Sequence, residues 1–176
     1  MNLRKRSSVI ALAVMSALTL TVPAMSAHGT ENVPAAADAR ERSIQGVWQT
    51  VVTPRNCLTG VAAPFSIRGS FTFHEGGTMS EYGIGPGASP ALRSPGHGEW
   101  QREHGWNAYS FAFMYYRYDA NGALLGSQKV TGTLELDASG DTFATASTIE
   151  VLDLNGQVVG SFCATAAGTR FAWNAP

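Results

Sequence analysis

Charge is scarce in this chain: Asp, Glu, Lys and Arg make up 14% of its 176 residues. Beyond Arg4, Lys5 and Arg6 at the N-terminus no basic residues cluster. A nucleic-acid partner is not expected, because counterion release needs a cationic stripe. Helical periodicity is missing as well, since no segment carries the 3.6-residue apolar repeat of a sizeable amphipathic helix. The signatures of common enzyme classes are absent: no G-x-S-x-G elbow for a serine hydrolase, no G-x-G-x-x-G in a strand-turn-helix context and no H-x-x-x-H pairing. His74, His97 and His104 with a carboxylate could be imagined around zinc, but their spacing gives no support, so neither a metal nor a cofactor is expected.

What is present begins with an export signal. After the three basic residues, "SSVIALAVMSALTLTV" runs from Ser7 to Val22 without a charge and gives way to small residues in "PAMSAHG". A positive n-region, an apolar h-region and a cleavage zone make residues 1–26 a secretory signal peptide. The apolar stretch is shorter than the roughly 20 residues of a membrane span and ends at Pro23, so stable membrane insertion is not expected. Residues 27–42, rich in Ala, Glu and Asp, read as a flexible leader. Residues 43–174 are the folding unit, a single domain. Processing leaves nine basic residues against 13 acids, a net charge of −4, with Lys129 the one lysine remaining.

Two cysteines occur, Cys57 and Cys163. In a secreted or periplasmic protein such a pair reads as a disulfide. It would close a loop of about 107 residues, for which chain entropy gives roughly 4–5 kcal/mol less any strain. Since one cysteine follows the first strand and the other lies in the last long one, the two ends of the sheet must meet.

From Ile44 onward, apolar runs of strand length alternate with "HEGG", "HGWN", "DANG", "DASGD" and "DLNG". Asp/Asn-Gly and Gly-Gly between β-rich runs signal hairpins. Eight strands in consecutive hairpins, fastened first to last by the cysteines, predict an all-β fold. The expected form is an eight-stranded up-and-down antiparallel barrel, whose closure removes exposed edges. A β-sandwich is the alternative, should the long "IGPGASPALRSPGHG" connection be a crossover between sheets.

Period-two alternation sorts the faces. Trp48 shares a face with Ile44 and Val52, Phe71 and Phe73 with Ile67, and Phe111 and Phe113 with Tyr109 and Tyr115. In "TFATASTIEVL" neither face is filled by large side chains, which favours a partly open interior, since an eight-stranded barrel can be solid or hold one small ligand. The fifth strand is apolar on both faces. Its outer side, with Met114, Tyr116 and Tyr118, would need cover from the leader, a loop or a second copy in a homodimer.

"GVW", Gly46 to Trp48, resembles the Gly-X-Trp element that opens lipocalins and other calycins. In that superfamily an Arg near the end of the last strand packs over the Trp, and Arg170 in "GTRF" sits where such an Arg would. Residues 46–171 also resemble a group of small secreted bacterial proteins sharing "TPRNC", "GGTMSE", "RSPGHGEW", "DANG" and "CATA". These resemblances imply a calycin-like barrel and export and supply no catalytic residues. The chain departs from typical lipocalins in lacking a clear C-terminal helix.

The chemistry-bearing candidates are few. His97, between Gly96 and Gly98, is a candidate general acid or base at the barrel mouth, with Glu81 and Arg93 as partners in proton transfer or charge stabilisation. Three functions follow. In the first, the barrel binds a small apolar or aromatic molecule against Trp48, Phe71, Phe73, Phe111 and Phe113, with residues 84–98 as a lid. The second is a cofactor-free isomerase or cyclase using His97 with Glu81 or Arg93, like allene oxide cyclase barrels in architecture only. The third is a structural or interaction protein that dimerises through its fifth strand. The ligand-binding barrel is the reading adopted.

Overall fold

Three aspartates set three of the hairpins. The Oδ1 of Asp119 accepts the backbone N–H of Asn121 and Ala123, each at 2.8 Å. Asp153 does the same for Asn155 and Gln157, and Asp137 for Gly140 and Thr142. Each aspartate replaces backbone partners that the turn cannot supply, and the glycine that follows takes the left-handed conformation, φ 82° at Gly122, 77° at Gly156 and 79° at Gly140.

A computed structural model describes residues 43–173. The expected signal peptide (1–26) and flexible leader (27–42) lie outside the described residues. The strands are β1 (Gly46–Arg55), β2 (Ile67–Phe73), β3 (Thr78–Ile84), β4 (Gly96–Arg102), β5 (Ala108–Tyr118), β6 (Leu124–Leu136), β7 (Thr142–Leu152) and β8 (Val158–Arg170), with a single 3₁₀ turn at Pro90–Leu92. They form a closed barrel in sequence order, every neighbour antiparallel, with β1 paired to both β2 and β8. The barrel, not the sandwich, is therefore the fold.

β1 continues through Pro54 to Arg55. Its pairing to β2 ends at Val52, whereas its pairing to β8 continues to Arg55. Beyond Val52 the β2-facing edge of β1 meets only the β1–β2 loop, through the Arg55–Ala62 bridge and the Ala63 N–H donated to the Pro54 carbonyl at 2.8 Å, and a residue without an N–H is tolerated there.

The two ends of the barrel differ. At one, Trp48 and Ile44 are fully buried together with Phe73, Met79, Tyr109, Leu136 and Phe143. The Trp48 indole N–H donates to the Ile44 carbonyl at 2.8 Å. Arg170 lies over the Trp48 ring, 4.2 Å from its centroid, and donates to the carbonyls of Ser43, Gln45 and Gly140. This end is plugged. The opposite end is formed by the β1–β2, β3–β4, β5–β6 and β7–β8 connections. There the Cys57–Cys163 disulfide, Cα–Cα 5.1 Å, ties the β1–β2 loop to β8. Arg55 reinforces the junction by donating to Thr165 Oγ1 at 2.9 Å and to the Gly60 carbonyl at 3.0 Å. On the outer face of β5, Met114 and Tyr116 are exposed.

Candidate functional site

The barrel interior is sorted by side-chain size. Phe71, Phe111 and Phe113 fill the side of β2 and β5, with Phe71 meeting Phe111 and Phe113 at ring separations of 6.0 and 5.8 Å. Across from them Thr145 and Ser147 of β7 and Ala164 and Ala166 of β8 are small and leave space at this level, while Phe143 of β7 stacks on Phe71 at a ring separation of 6.2 Å. A cavity of about 150 Å³ remains between the two sides, lined further by Val52, Ile67, Val130, Ile149 and Phe162.

Besides Thr145 and Ser147, the cavity is edged by the polar residues Glu81, Arg93, Tyr115 and Gln128. Glu81 projects inward from β3 and is 7% exposed. Its cross-strand partner is Gly96, where a Cβ would stand 2.7 Å from Glu81 Oε2 and 3.1 Å from the Phe113 ring. Gly83, two residues along β3, would meet the other carboxylate oxygen at 3.3 Å. The carboxylate thus occupies room that neighbouring side chains would otherwise take.

Arg93 enters from the β3–β4 connection. Its Nη1 donates to Glu81 Oε1 at 3.2 Å and to the Gly83 carbonyl at 2.9 Å, its Nη2 donates to Glu81 Oε2, and its Nε donates to the Ser94 carbonyl at 3.1 Å. The guanidinium stacks on Tyr115, 3.5 Å from the ring centroid, and the Tyr115 hydroxyl donates to Gln128 Oε1. The loop is anchored to β5 by Ser94, whose N–H donates to the Tyr116 carbonyl and whose Oγ accepts the Tyr116 N–H, both at 3.0 Å. Burial pushes the Glu81 carboxyl above its ordinary value, against the opposing pull of the Arg93 hydrogen bonds and charge. Burial likewise raises the Tyr115 phenol. Deeper in, Thr145 Oγ1 accepts the Ala166 N–H at 2.9 Å, leaving its own proton available to the cavity.

The structure separates the residues singled out from sequence. Glu81 and Arg93 meet on the cavity wall. His97 does not join them: it lies within β4, opposite Ser80 and Met114, with its imidazole exposed on the outer face. The strand begins at Gly96, so Gly96 and Gly98 take the inward positions and His97 the outward one. His74 is bonded to Ser80 Oγ at 3.1 Å. Among the aromatics, Phe71, Phe111 and Phe113 line the cavity, whereas Trp48 and Phe73 belong to the plugged end. Residues 84–98 do not form a free lid: their last part is strand, and Arg93 fastens the remainder to the wall. Tyr115 and Gln128 were not singled out from sequence as site residues, although alternation from Phe111 and Val130 places both inward.

Neither a protein-family model nor a curated protein matches the chain.

Proposed function

We propose that this is an exported, calycin-like barrel, secreted or periplasmic, that binds a small apolar or aromatic molecule in its interior. The observation that carries the reading is the 150 Å³ cavity bounded by Phe71, Phe111 and Phe113. An apolar cavity of about that volume accepts one benzene ring. The ligand body is therefore about one aromatic ring or a short branched alkyl group in size. Phe71, Phe111 and Phe113 contact it, and Trp48 and Phe73 support the floor from behind. The Arg170–Trp48 contact and the closed strand order support the calycin likeness, and the disulfide accords with an oxidising compartment.

The experiment is native mass spectrometry of the protein taken from its own compartment, followed by denaturation and identification of any released small molecule. Titration with toluene, read on the methyl resonances of Val130 and Ile149, accompanies it. Shifts confined to cavity residues are the expected result, and resonances that stay unmoved at saturating toluene would end the reading.

A second reading, proton-transfer catalysis without a cofactor, draws on one observation: Glu81, with its carboxyl raised by burial, faces the same cavity as Arg93. A general base near a cationic hydrogen-bond donor is the minimum such chemistry needs. It predicts that a released ligand exchanges a carbon-bound proton with deuterated solvent in the presence of the protein and not of Glu81→Gln.

A further inference from the structure

One inward-facing cation at the open end of the barrel has no ion-pair partner among the described residues. Besides Glu81 and Arg93, a third charged side chain turns inward there: Arg117, two residues beyond Tyr115 on β5 and bridged to Arg93 across the loop. Bridged residues project to the same side of a sheet, and Arg93 projects inward. Opposite Arg117 on β6 stands Gly126, where a Cβ would lie 2.1 Å from the Leu152 carbonyl oxygen. Arg117 Nη2 reaches that same oxygen at 3.5 Å. The guanidinium therefore crosses β6 over a residue with no side chain and comes to lie at the rim.

Its hydrogen bonding is incomplete. Arg117 Nε is buried and has no acceptor, and no ion pair among the described residues includes it. Glu81 is already held by both terminal nitrogens of Arg93, and Asp119 and Asp153, the acids of the neighbouring turns, each use Oδ1 to hold those turns. Gln128 adds a second unused donor. Its Oε1 accepts the Tyr115 hydroxyl, and its amide nitrogen has no partner among the described residues. Among the inward side chains at the mouth, Arg93 and Glu81 are paired, whereas Arg117 and the Gln128 amide leave N–H donors unused above an apolar cavity.

We infer that the ligand is a small carboxylic acid, its apolar body in the cavity and its carboxylate at Arg117 and the Gln128 amide. This rests on the interior-binding reading and adds the chemistry of the ligand's head. A guanidinium presents paired N–H donors in the plane a carboxylate accepts, and one guanidinium without an ion-pair partner matches a monoanion, not a phosphate dianion.

The test compares benzoate with benzamide, the same shape without the charge, and with toluene, by titration calorimetry and methyl chemical shifts on the native protein. Benzoate is expected to bind about tenfold more tightly than benzamide, the usual worth of a hydrogen bond to a charged group. In Arg117→Met the two should come within about twofold of each other, toluene binding should be unchanged, and Arg117→Lys should keep part of the preference. Equal binding of benzoate and benzamide to the native protein overturns the inference whether or not the variants fold, as does a preference that survives Arg117→Met. Toluene binding without acid preference removes this inference alone, whereas failure of all three probes removes the interior-binding reading with it.

Discussion

Arg93 holds Glu81 from a loop, not from a neighbouring strand, and the Tyr115 ring supports the guanidinium from its other face. Loop, ion pair and cavity wall are consequently one unit. With side chains only 15% and 7% exposed, removing either partner strands a buried charge.

Glu81→Ala and Arg93→Ala should each lower the free energy of unfolding by about 3–5 kcal/mol. Glu81→Leu combined with Arg93→Met, which removes both charges and keeps volume, should recover most of the loss. Urea unfolding of the four proteins checks this. A double variant no more stable than the singles would show that the pair is held by something other than its own desolvation balance.

The pH dependence has a definite sign. A carboxyl whose folded value is raised binds its proton more readily in the native state, so its contribution to stability is present below the unfolded value and is lost as pH rises through the raised one. Between the reference 4.5 and the higher value of folded Glu81, native stability should decline relative to Glu81→Gln. The difference between the two proteins, measured by urea unfolding at closely spaced pH values, should flatten above that window. A difference that grows with pH would mean that Arg93 outweighs burial and holds the carboxyl below 4.5.

The fold was legible because it is written in local chemistry. Asp-x-Asn-Gly and related turns fix the hairpins, period-two alternation fixes the inward face, and two cysteines fix closure. Sequence was less informative about the site, for two physical reasons. Alternation says which face a residue takes but not how high it stands in a tilted barrel, so Trp48 and Phe73 could not be told from Phe71 and Phe111. The glycines around His97 suit a lid or corner at the barrel mouth, yet they are strand residues that make room. Gly96 clears space for Glu81, and a Cβ on Gly98 would fall 1.9 Å from the Ala112 carbonyl oxygen. Once β4 starts at Gly96, His97 must point outward. Arg117 would have emerged by continuing the inward series from Tyr109 through Tyr115 by one more step.

The disulfide joins the β1–β2 loop to β8 across a sequence separation of 106 residues. Chain entropy assigns such a closure about 4–5 kcal/mol. Cys57→Ala with Cys163→Ala should lose close to that amount, with the urea midpoint falling and circular dichroism of the folded protein unchanged. Arg55 still joins the β1–β2 loop to β8 in the variant, so the barrel is expected to remain closed. A loss below about 1 kcal/mol would indicate that the unfolded chain already keeps these ends together.

The plugged end should respond independently of the mouth. Arg170→Met removes the donor to the Ser43, Gln45 and Gly140 carbonyls and the cation over Trp48. Charged hydrogen bonds contribute roughly 1.5–3 kcal/mol each in isolation and do not sum, and the cation–π contact about 1–2 kcal/mol. A total loss of about 3 kcal/mol is expected, together with altered Trp48 fluorescence. Toluene binding at the other end should be preserved, and its loss would show that the two ends are coupled through the aromatic column.

Filling the cavity separates binding from stability. Ala164 is 3% exposed and lines the space opposite Phe111, so the larger side chain of Ala164→Leu projects into existing volume. Each buried methylene contributes about 0.8 kcal/mol where it fits without strain, and overpacking costs about 1–3 kcal/mol where it does not. The protein should therefore stay folded, with unfolding free energy within about 2 kcal/mol of native, while toluene and benzoate binding are both lost. Retained binding in a folded Ala164→Leu protein would place the ligand elsewhere, in the outer groove between the β1–β2 loop and Phe162. The unpaired guanidinium of Arg117 would then act at the rim of the barrel and not above its interior.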